Sequence, residues 1–363
     1  MKNNSQVLKF NIIIILLIII VAGSAFLQGN NLYKPTYIKL VIPKGWTKPA
    51  INIFAKNPLT EEGFQLGRKL FYDGRLSADG NFPCASCHQQ FAAFANFDHD
   101  FSHGFNNRFT KRNAPALFNL AWMKELNWDG GVNHIEVQPL VPITDTNEMA
   151  SSVKDIISRI GLDTSYKRMF KEAFGDSQIN SQRILKALAQ FTGSIQSYNS
   201  RYDKVKRGED TFTISEQYGY AIFKAKCSQC HTEPLFTDNS FRSNGLAVNK
   251  QLTDVGRMHI TGKKEDSLKF KVPSLRNIAK TSPYMHDGRL YNLSQVIEHY
   301  RNKIDNNQKN IDPLLKNKLN ISNQEKIDLI SFLYTLTDET LLKNSRYADP
   351  QSNGSNKPFV HQH

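Results

Sequence analysis

All four cysteines of this chain fall in two pentapeptides, Cys84-Ala85-Ser86-Cys87-His88 and Cys227-Ser228-Gln229-Cys230-His231. A Cys-x-x-Cys-His run attaches c-type haem: the thiols form thioethers with the porphyrin vinyl groups, and the adjacent His supplies the proximal iron ligand. One helical turn sets both sulfurs on one edge and swings the imidazole beneath the iron. The rival use of paired Cys-x-x-Cys knuckles is a four-cysteine zinc site, which needs no trailing His. Both runs carry the His and no cysteine is left over, so Cys84, Cys87, His88, Cys227, Cys230 and His231 read as the anchors of two covalent haems. Cysteines used this way are not a disulfide framework.

A length of 363 residues suggests two domains, and one motif lies in each half. A hydrophobic content of 40% with 22% charged residues describes a folded chain rather than a disordered one. Residues 12–27 read IIIILLIIIVAGSAFL behind Lys2 and Lys9, with no acid before Glu61. That is a basic start followed by an apolar run, the pattern of an exported protein. Ala22-Gly23-Ser24 offers a small-residue cleavage site, while 16 residues lie between signal-peptide and membrane-span lengths, so a cleaved signal and an uncleaved inner-membrane anchor both stand. Eleven consecutive apolar residues without amphipathic period exclude an ordinary core helix. An extracytoplasmic, periplasmic location agrees with covalent haem attachment. The formal charge of +13 falls to +11 once Lys2 and Lys9 are set aside. Export excludes nucleic acid as the partner, four haem propionates cancel part of the charge, and an acidic electron donor stays open.

The punctuation predicts helices over 60–72, 151–160, 164–174 and 181–198, where Ile184, Leu185, Leu188, Phe191 and Ile195 form an apolar face. Residues 89–147 read as a long irregular stretch wrapping a cofactor. A second unit begins near Ser215 with a helix running into Cys227, and its last helix is marked by the Ser322/Glu325 capping-box spacing. The tail after about Ser345 is polar, and His361 and His363 read as bystanders. The expected division is 1–27 signal or anchor, 28–56 linker, 57–210 and 211–345 haem domains, and 346–363 tail.

The first motif follows Leu66-Gly67-Arg68-Lys69-Leu70-Phe71-Tyr72-Asp73 and Arg75-Leu76-Ser77. Downstream stand Arg112-Asn113-Ala114-Pro115, Trp128-Asp129-Gly130 and Asn147-Glu148-Met149. In the second half, Phe270-Lys271-Val272-Pro273-Ser274-Leu275-Arg276-Asn277 precedes Ser282-Pro283-Tyr284-Met285-His286-Asp287-Gly288-Arg289. Over roughly residues 57–340 these resemble the bacterial dihaem cytochrome c peroxidase and MauG family. The resemblance implies a mainly α protein of two cytochrome-c-like helical domains, with peroxide chemistry at the first haem and electron transfer at the second.

It also implies roles. Trp128 resembles the tryptophan lying between the haems; Gln138 and Glu148 match the distal-pocket pair, a carboxylate there being suited to moving a proton between the peroxide oxygens. His103 is similar in position to the imidazole that closes the resting first haem in peroxidase-type members, with His99 as an alternative, whereas Pro142 matches the Pro of MauG-like members. The gate is thus undecided. At the second haem, Tyr300 stands where peroxidase-type members carry Met and MauG-type members Tyr, with Met285 and Met258 as alternatives. A hard phenolate favours Fe(III), a soft thioether Fe(II). Asn113, Thr281 and Pro283 match the family's calcium site between domains.

The expected activity is reduction of hydrogen peroxide to water with electrons from a small cytochrome c or cupredoxin. A MauG-like oxidase acting on a protein or organic substrate through a high-valent dihaem state is the alternative. A non-catalytic electron carrier is a third reading, opposed by Gln138 and Glu148. Membrane tethering by the N-terminal segment and a homodimer are left open.

Overall fold

Two helix crossings organise the chain, which the computed structural model describes from residue 33 to residue 351. The N-terminal apolar segment, His361 and His363 lie outside the described residues. Helix Glu61–Phe71 starts at Thr60, whose hydroxyl accepts from the Gly63 amide, with Glu61 and Glu62 in its first turn and Arg68 and Lys69 in its last. Both signs suit the helix dipole. Its buried face packs on helix Ser181–Ser194, and the approach is close because Gly67 has no side chain: a Cβ there would meet the Ala187 carbonyl and the Phe191 side chain. The second half repeats the device. Helix Ile214–Lys226, opened by a Thr213/Glu216 capping box, runs into Cys227 and crosses helix Asn323–Tyr334, opened by the expected Ser322/Glu325 box. Here Gly219 lies against the Asp328 carbonyl and Phe332.

Each crossing carries an aromatic core. Phe64, Phe71, Phe94 and Phe191 fill the first, with ring centroids 5.0 to 6.3 Å apart. Tyr202, Phe223, Phe236 and Phe332 fill the second. Helices Val153–Ile160 and Thr164–Phe174 complete the first half. The only paired strands among the described residues are Phe241–Arg242 and Phe270–Lys271, antiparallel, with Arg242 opposite Phe270. The molecule is mainly helical, and residues 89–139 hold nothing longer than single turns.

Three expectations shift. The 181–198 helix stops at Ser194 because Asn119 captures the residues just beyond it: the Asn119 amide donates to the Ile195 carbonyl at 2.8 Å, and the Ser197 amide donates to Asn119 Oδ1 at 3.0 Å. Residues 28–56, expected as a linker, form a strap where described: Ile38 and Ile53 pack on the first core, and Trp122 Nε1 donates to the Thr47 carbonyl at 2.8 Å. The tail stays attached past Ser345, since Arg346 binds Glu61 at 2.7 Å and Tyr347 packs against the first core. Its polar composition concealed that anchor.

Arg276 is wholly buried and binds Asp203 through two parallel bonds of 2.8 Å, while its Nε donates to the Pro234 carbonyl. Burial pushes the Asp203 carboxyl up, but the bonds and charge of Arg276, with the Ser200 hydroxyl, outweigh it and hold the group below its ordinary value. Arg276→Met is therefore expected to cost about 3–5 kcal/mol near neutral pH, because it strands a buried carboxylate. The wild-type contribution is complete above the unfolded pKa of about 4 and is lost as pH falls through the lower folded value. Thermal unfolding from pH 7 to 3 should show the variant's deficit narrowing on acidification; a constant deficit would refute the assignment.

Candidate haem sites and the seam between them

The two proximal turns are built alike. Cys84–Cys87 forms one helical turn, and the His88 amide donates to the Cys84 carbonyl at 3.0 Å. The His231 amide donates to Cys227 over the same distance, 3.0 Å. His88 Nδ1 donates to the Phe94 carbonyl at 2.9 Å and also pairs with the Pro115 carbonyl. His231 Nδ1 reaches the Phe236 and Pro273 carbonyls at 3.1 and 3.2 Å. With Nδ1 occupied as donor, the lone pair lies on Nε2, the atom a proximal ligand presents. Phe94 and Phe236 adopt left-handed backbone, with φ of 60° and 56°. Burial pushes His88 down to about 4, against those carbonyls, so its imidazole is neutral. Burial likewise keeps the Cys84 and Cys227 thiols protonated.

Pro115 and Pro273 open a repeated Pro-x-Leu-x-Asn pattern, Pro115-Ala116-Leu117-Phe118-Asn119 and Pro273-Ser274-Leu275-Arg276-Asn277. Asn277 acts as Asn119 does: its amide donates to the Leu336 carbonyl at 3.0 Å, and its Oδ1 accepts from the Asp338 amide at 2.8 Å. The sequence reading missed this duplication, although the pattern was visible. Among the described residues no group of three or more His, Cys, Asp or Glu gathers to hold a metal ion, so the cysteines do not converge on a zinc site. Two thiols on one turn beside an oriented, neutral imidazole fit covalent haem.

Around the first motif, Glu148 lies close enough to Cys84 and Cys87 to act on their charge. Burial, and secondarily Asp145, push the Glu148 carboxyl up to about 7. Gln138 precedes and Glu148 follows helix Leu140–Thr144, which contains Pro142. The His103 turn is fastened to the same place: the Phe105 amide donates to the Glu148 carbonyl at 2.7 Å, and Gly104 leaves no room for a Cβ over the Asn147 carbonyl. His103 packs on Phe109 with ring centroids 4.6 Å apart; His99, 5.3 Å from it, is exposed. The structure thus brings Glu148 and the His103 turn to the first motif.

Around the second, Tyr300 lies in a single π-helical turn, His299–Lys303, a feature frequent at functional sites. Burial, opposed by a hydrogen bond with Asn244 and reinforced by Cys227 and Cys230, pushes its phenol up to about 12. Asn244, which the sequence reading did not single out, also donates from Nδ2 to the Met285 sulfur at 3.3 Å. Tyr300 and Met285 therefore share one partner beside the second motif. Met258 lies elsewhere, lining a cleft with Lys264, Gln308 and Lys309.

The seam between the halves centres on Trp128. Its Nε1 donates to the Asn113 carbonyl at 2.8 Å, and its own carbonyl accepts from the Lys271 amide at 2.7 Å. Arg112 binds Asp129 at 2.6 Å and Asp254 at 2.7 Å, and lies over the Phe270 ring, which stacks on His286 at 3.8 Å. The Asn113 amide donates to the His286 carbonyl at 2.8 Å, bringing Asn113 to the hairpin after Thr281 and Pro283.

Residues 61–211 match a family model described as di-haem cytochrome c peroxidase. The chain is 35% identical over 293 residues to methylamine utilization protein MauG of Methylophilus methylotrophus, covering 77% of this chain and 84% of that one. It is 31% identical over 297 residues to cytochrome c551 peroxidase of Nitrosomonas europaea, covering 80% and 85%. The chain belongs to the di-haem cytochrome c peroxidase and MauG family. Among solved structures, a MauG-like protein associated with microbial copper homeostasis matches with a TM-score of 0.79 at 34% identity, covering 86% of this chain and 99% of that one. The diheme peroxidase BthA of Burkholderia thailandensis, with a TM-score of 0.67 at 22% identity and coverage of 86% and 91%, shares the fold. Family members are oxidoreductases, and membership implies two c-type haems.

Within this dihaem family member, the contact between the His103 and Glu148 turns is testable by volume. Gly104→Ala places a Cβ against the Asn147 carbonyl and the Glu148 backbone, neither of which can rotate away. It should cost about 1–3 kcal/mol in thermal unfolding, as overpacking does. An unchanged melting temperature would show that the two turns part freely.

Proposed function

We propose that the chain is an exported dihaem peroxidase that converts hydrogen peroxide, two electrons and two protons into two waters. The observation that carries this is Glu148: a carboxyl held near neutrality by burial, beside the cysteines of the first motif. A group with a pKa of about 7 can both accept and return a proton at working pH. Bound through Cys84, Cys87 and His88 and through Cys227, Cys230 and His231, the haems supply the redox equivalents and the iron at which peroxide reacts. Glu148 takes the proton from the inner peroxide oxygen and delivers it to the outer one. The Gln138 amide holds that oxygen or an ordered water in line. Trp128, bonded to both halves, lies on the route between the haems, and each half acts as one haem domain. His88 and His231 hold the irons, with His103 as the candidate gate of the first. Asn113 with the Thr281 and Pro283 carbonyls offers the calcium site, and the electron donor is a small cytochrome c or cupredoxin outside the cytoplasm. Among the described residues no helix is long and apolar enough to cross a membrane, so tethering rests on the N-terminal segment.

Tyr300 favours a second reading. A phenol oxygen beside Cys227 and Cys230 suits a MauG-like oxidase, in which both haems share the oxidising equivalents and pass them to a protein or organic substrate. Relatives of both types match this chain to similar extents.

Two experiments separate these readings. Glu148→Gln is expected to lower peroxide turnover by about 10²-fold or more while leaving both haems reducible; unchanged turnover would refute the role of Glu148. In an anaerobic redox titration, a gated peroxidase reacts with peroxide only when half-reduced and shows well-separated potentials. Two low potentials and direct reaction of the diferric form would instead select the MauG-like reading, with Tyr300→Phe shifting the spectrum of the second haem.

A further inference from the structure

The segment joining Tyr300 to helix Asn323–Tyr334 carries charge that the chemistry above does not use. Lys303, Lys309, Lys316 and Lys318 are all exposed, and among the described residues none of them forms an ion pair with a carboxylate. Of the neighbouring acids, Asp312 and Glu298 are already paired with bases, whereas Asp305 keeps its charge. Asp312 binds Arg242 at 2.8 Å, and Arg242 also binds Asp238 at 2.8 Å. Glu298 is held by Arg301 and Lys326, and Asp305 accepts from the Asn307 amide. Four unpaired lysines against Asp305 leave the 303–318 segment net positive. Among the lysines, on the short turn Pro313–Leu315, Leu314 is 49% exposed. An exposed apolar residue on a lysine-rich segment suits a protein interface.

Its position gives the surface meaning. The Leu319 amide donates to the Tyr300 carbonyl at 2.9 Å, and the Asp312 amide donates to the Ser243 carbonyl at 3.0 Å. Asp312 and Arg242 lie close enough to Cys230 to act on the charge of its thiol. The lysine segment is thus fastened to the turn carrying Tyr300 and borders the edge of the second motif. Asn310 Nδ2 donates to the Lys264 carbonyl at 2.8 Å, bringing exposed Lys263 and Lys264, with exposed Glu265 beside them, next to the segment.

We propose that this lysine-rimmed segment is the docking surface for a small acidic redox protein, which delivers one electron per encounter at the edge of the second haem. The proposal rests on the dihaem peroxidase reading and specifies its partner by charge: two encounters oxidise two reduced partners for each peroxide consumed. Complementary charge raises the encounter rate and is screened by salt. An anionic membrane surface would also attract lysines, but it offers no electron, and the segment borders the haem edge.

The test uses the holoprotein with a reduced acidic cupredoxin of the plastocyanin type as probe, following haem reduction by stopped flow at rising ionic strength. A neutral hydroquinone serves as the small reductant. The rate with the cupredoxin should fall with salt. In K303E/K309E/K316E/K318E it should fall on the order of tenfold or more at low salt, with the hydroquinone rate unchanged. Calorimetric binding of the oxidised probe should weaken in parallel. Reversal of Lys154, Lys167 and Lys171, exposed on the first half, should leave both readouts unaltered. A salt-independent rate, or an equal loss on reversing the distant lysines, would overturn the docking surface. So would charge-reversal that abolishes binding to phosphatidylglycerol vesicles without slowing the probe. Failure of the wild-type holoprotein to turn over peroxide even with hydroquinone would instead overturn the peroxidase reading itself.

Discussion

A histidine that must present one nitrogen to iron needs its other nitrogen held, and this need shapes both halves of the chain. His88 and His231 each donate from Nδ1 to backbone carbonyls, from Phe94 and Pro115 in one case and from Phe236 and Pro273 in the other. Carbonyl acceptors fix the tautomer and the ring plane without adding charge. Each also fixes a loop: Phe94 and Phe236 turn back in left-handed conformation, and their rings enter the aromatic cores. Pro115 and Pro273 begin the segments whose Asn119 and Asn277 collect the chain after the closing helix of each core. A single constraint on imidazole orientation thus links motif, loop, core and final helix.

The two motifs and their His partners are alike, and the halves differ in the other side chains near each motif. Near the first motif stands a buried carboxyl held near neutrality; near the second stand a phenol and a thioether joined through Asn244. A carboxyl with a pKa of about 7 suits proton transfer, whereas a phenol pushed up to about 12 holds its proton unless a metal takes its oxygen. The duplicated scaffold thus surrounds its two motifs with different chemistry, a carboxyl at one and a phenol and thioether at the other.

Much of this was legible in the sequence. The haem runs, the capping box at Ser322, and the apolar face of the 181–198 helix are local signals, and local signals survive in a one-dimensional reading. What escaped was determined at a distance. Nothing local to Ile195 says that a helix must end there; the cause is Asn119, on a segment far earlier in the chain. Nothing near Tyr347 says that the tail is held, since its partners lie around Tyr72 and Phe64. Asn244 is an unremarkable Asn until the π-turn and the Met285 hairpin meet at its amide. The Pro-x-Leu-x-Asn repeat was the exception, a local pattern whose meaning needed both copies side by side.

The His103 turn bears on how such an enzyme would be switched. One backbone bond fastens it to a neighbour, Phe105 to the Glu148 carbonyl, while Gly104 to the Arg108 carbonyl and Thr110 to the Ser102 carbonyl close it internally. Asp100, just before it, supports Gly288 of the second half, where a Cβ would strike the Asp100 backbone. At about 1 kcal/mol net for that bond, parting the turn from Glu148 costs about 1 kcal/mol, a factor of about five in population. A gate must recover that difference, and the close Asp100–Gly288 approach is one place where the His103 segment meets the second half.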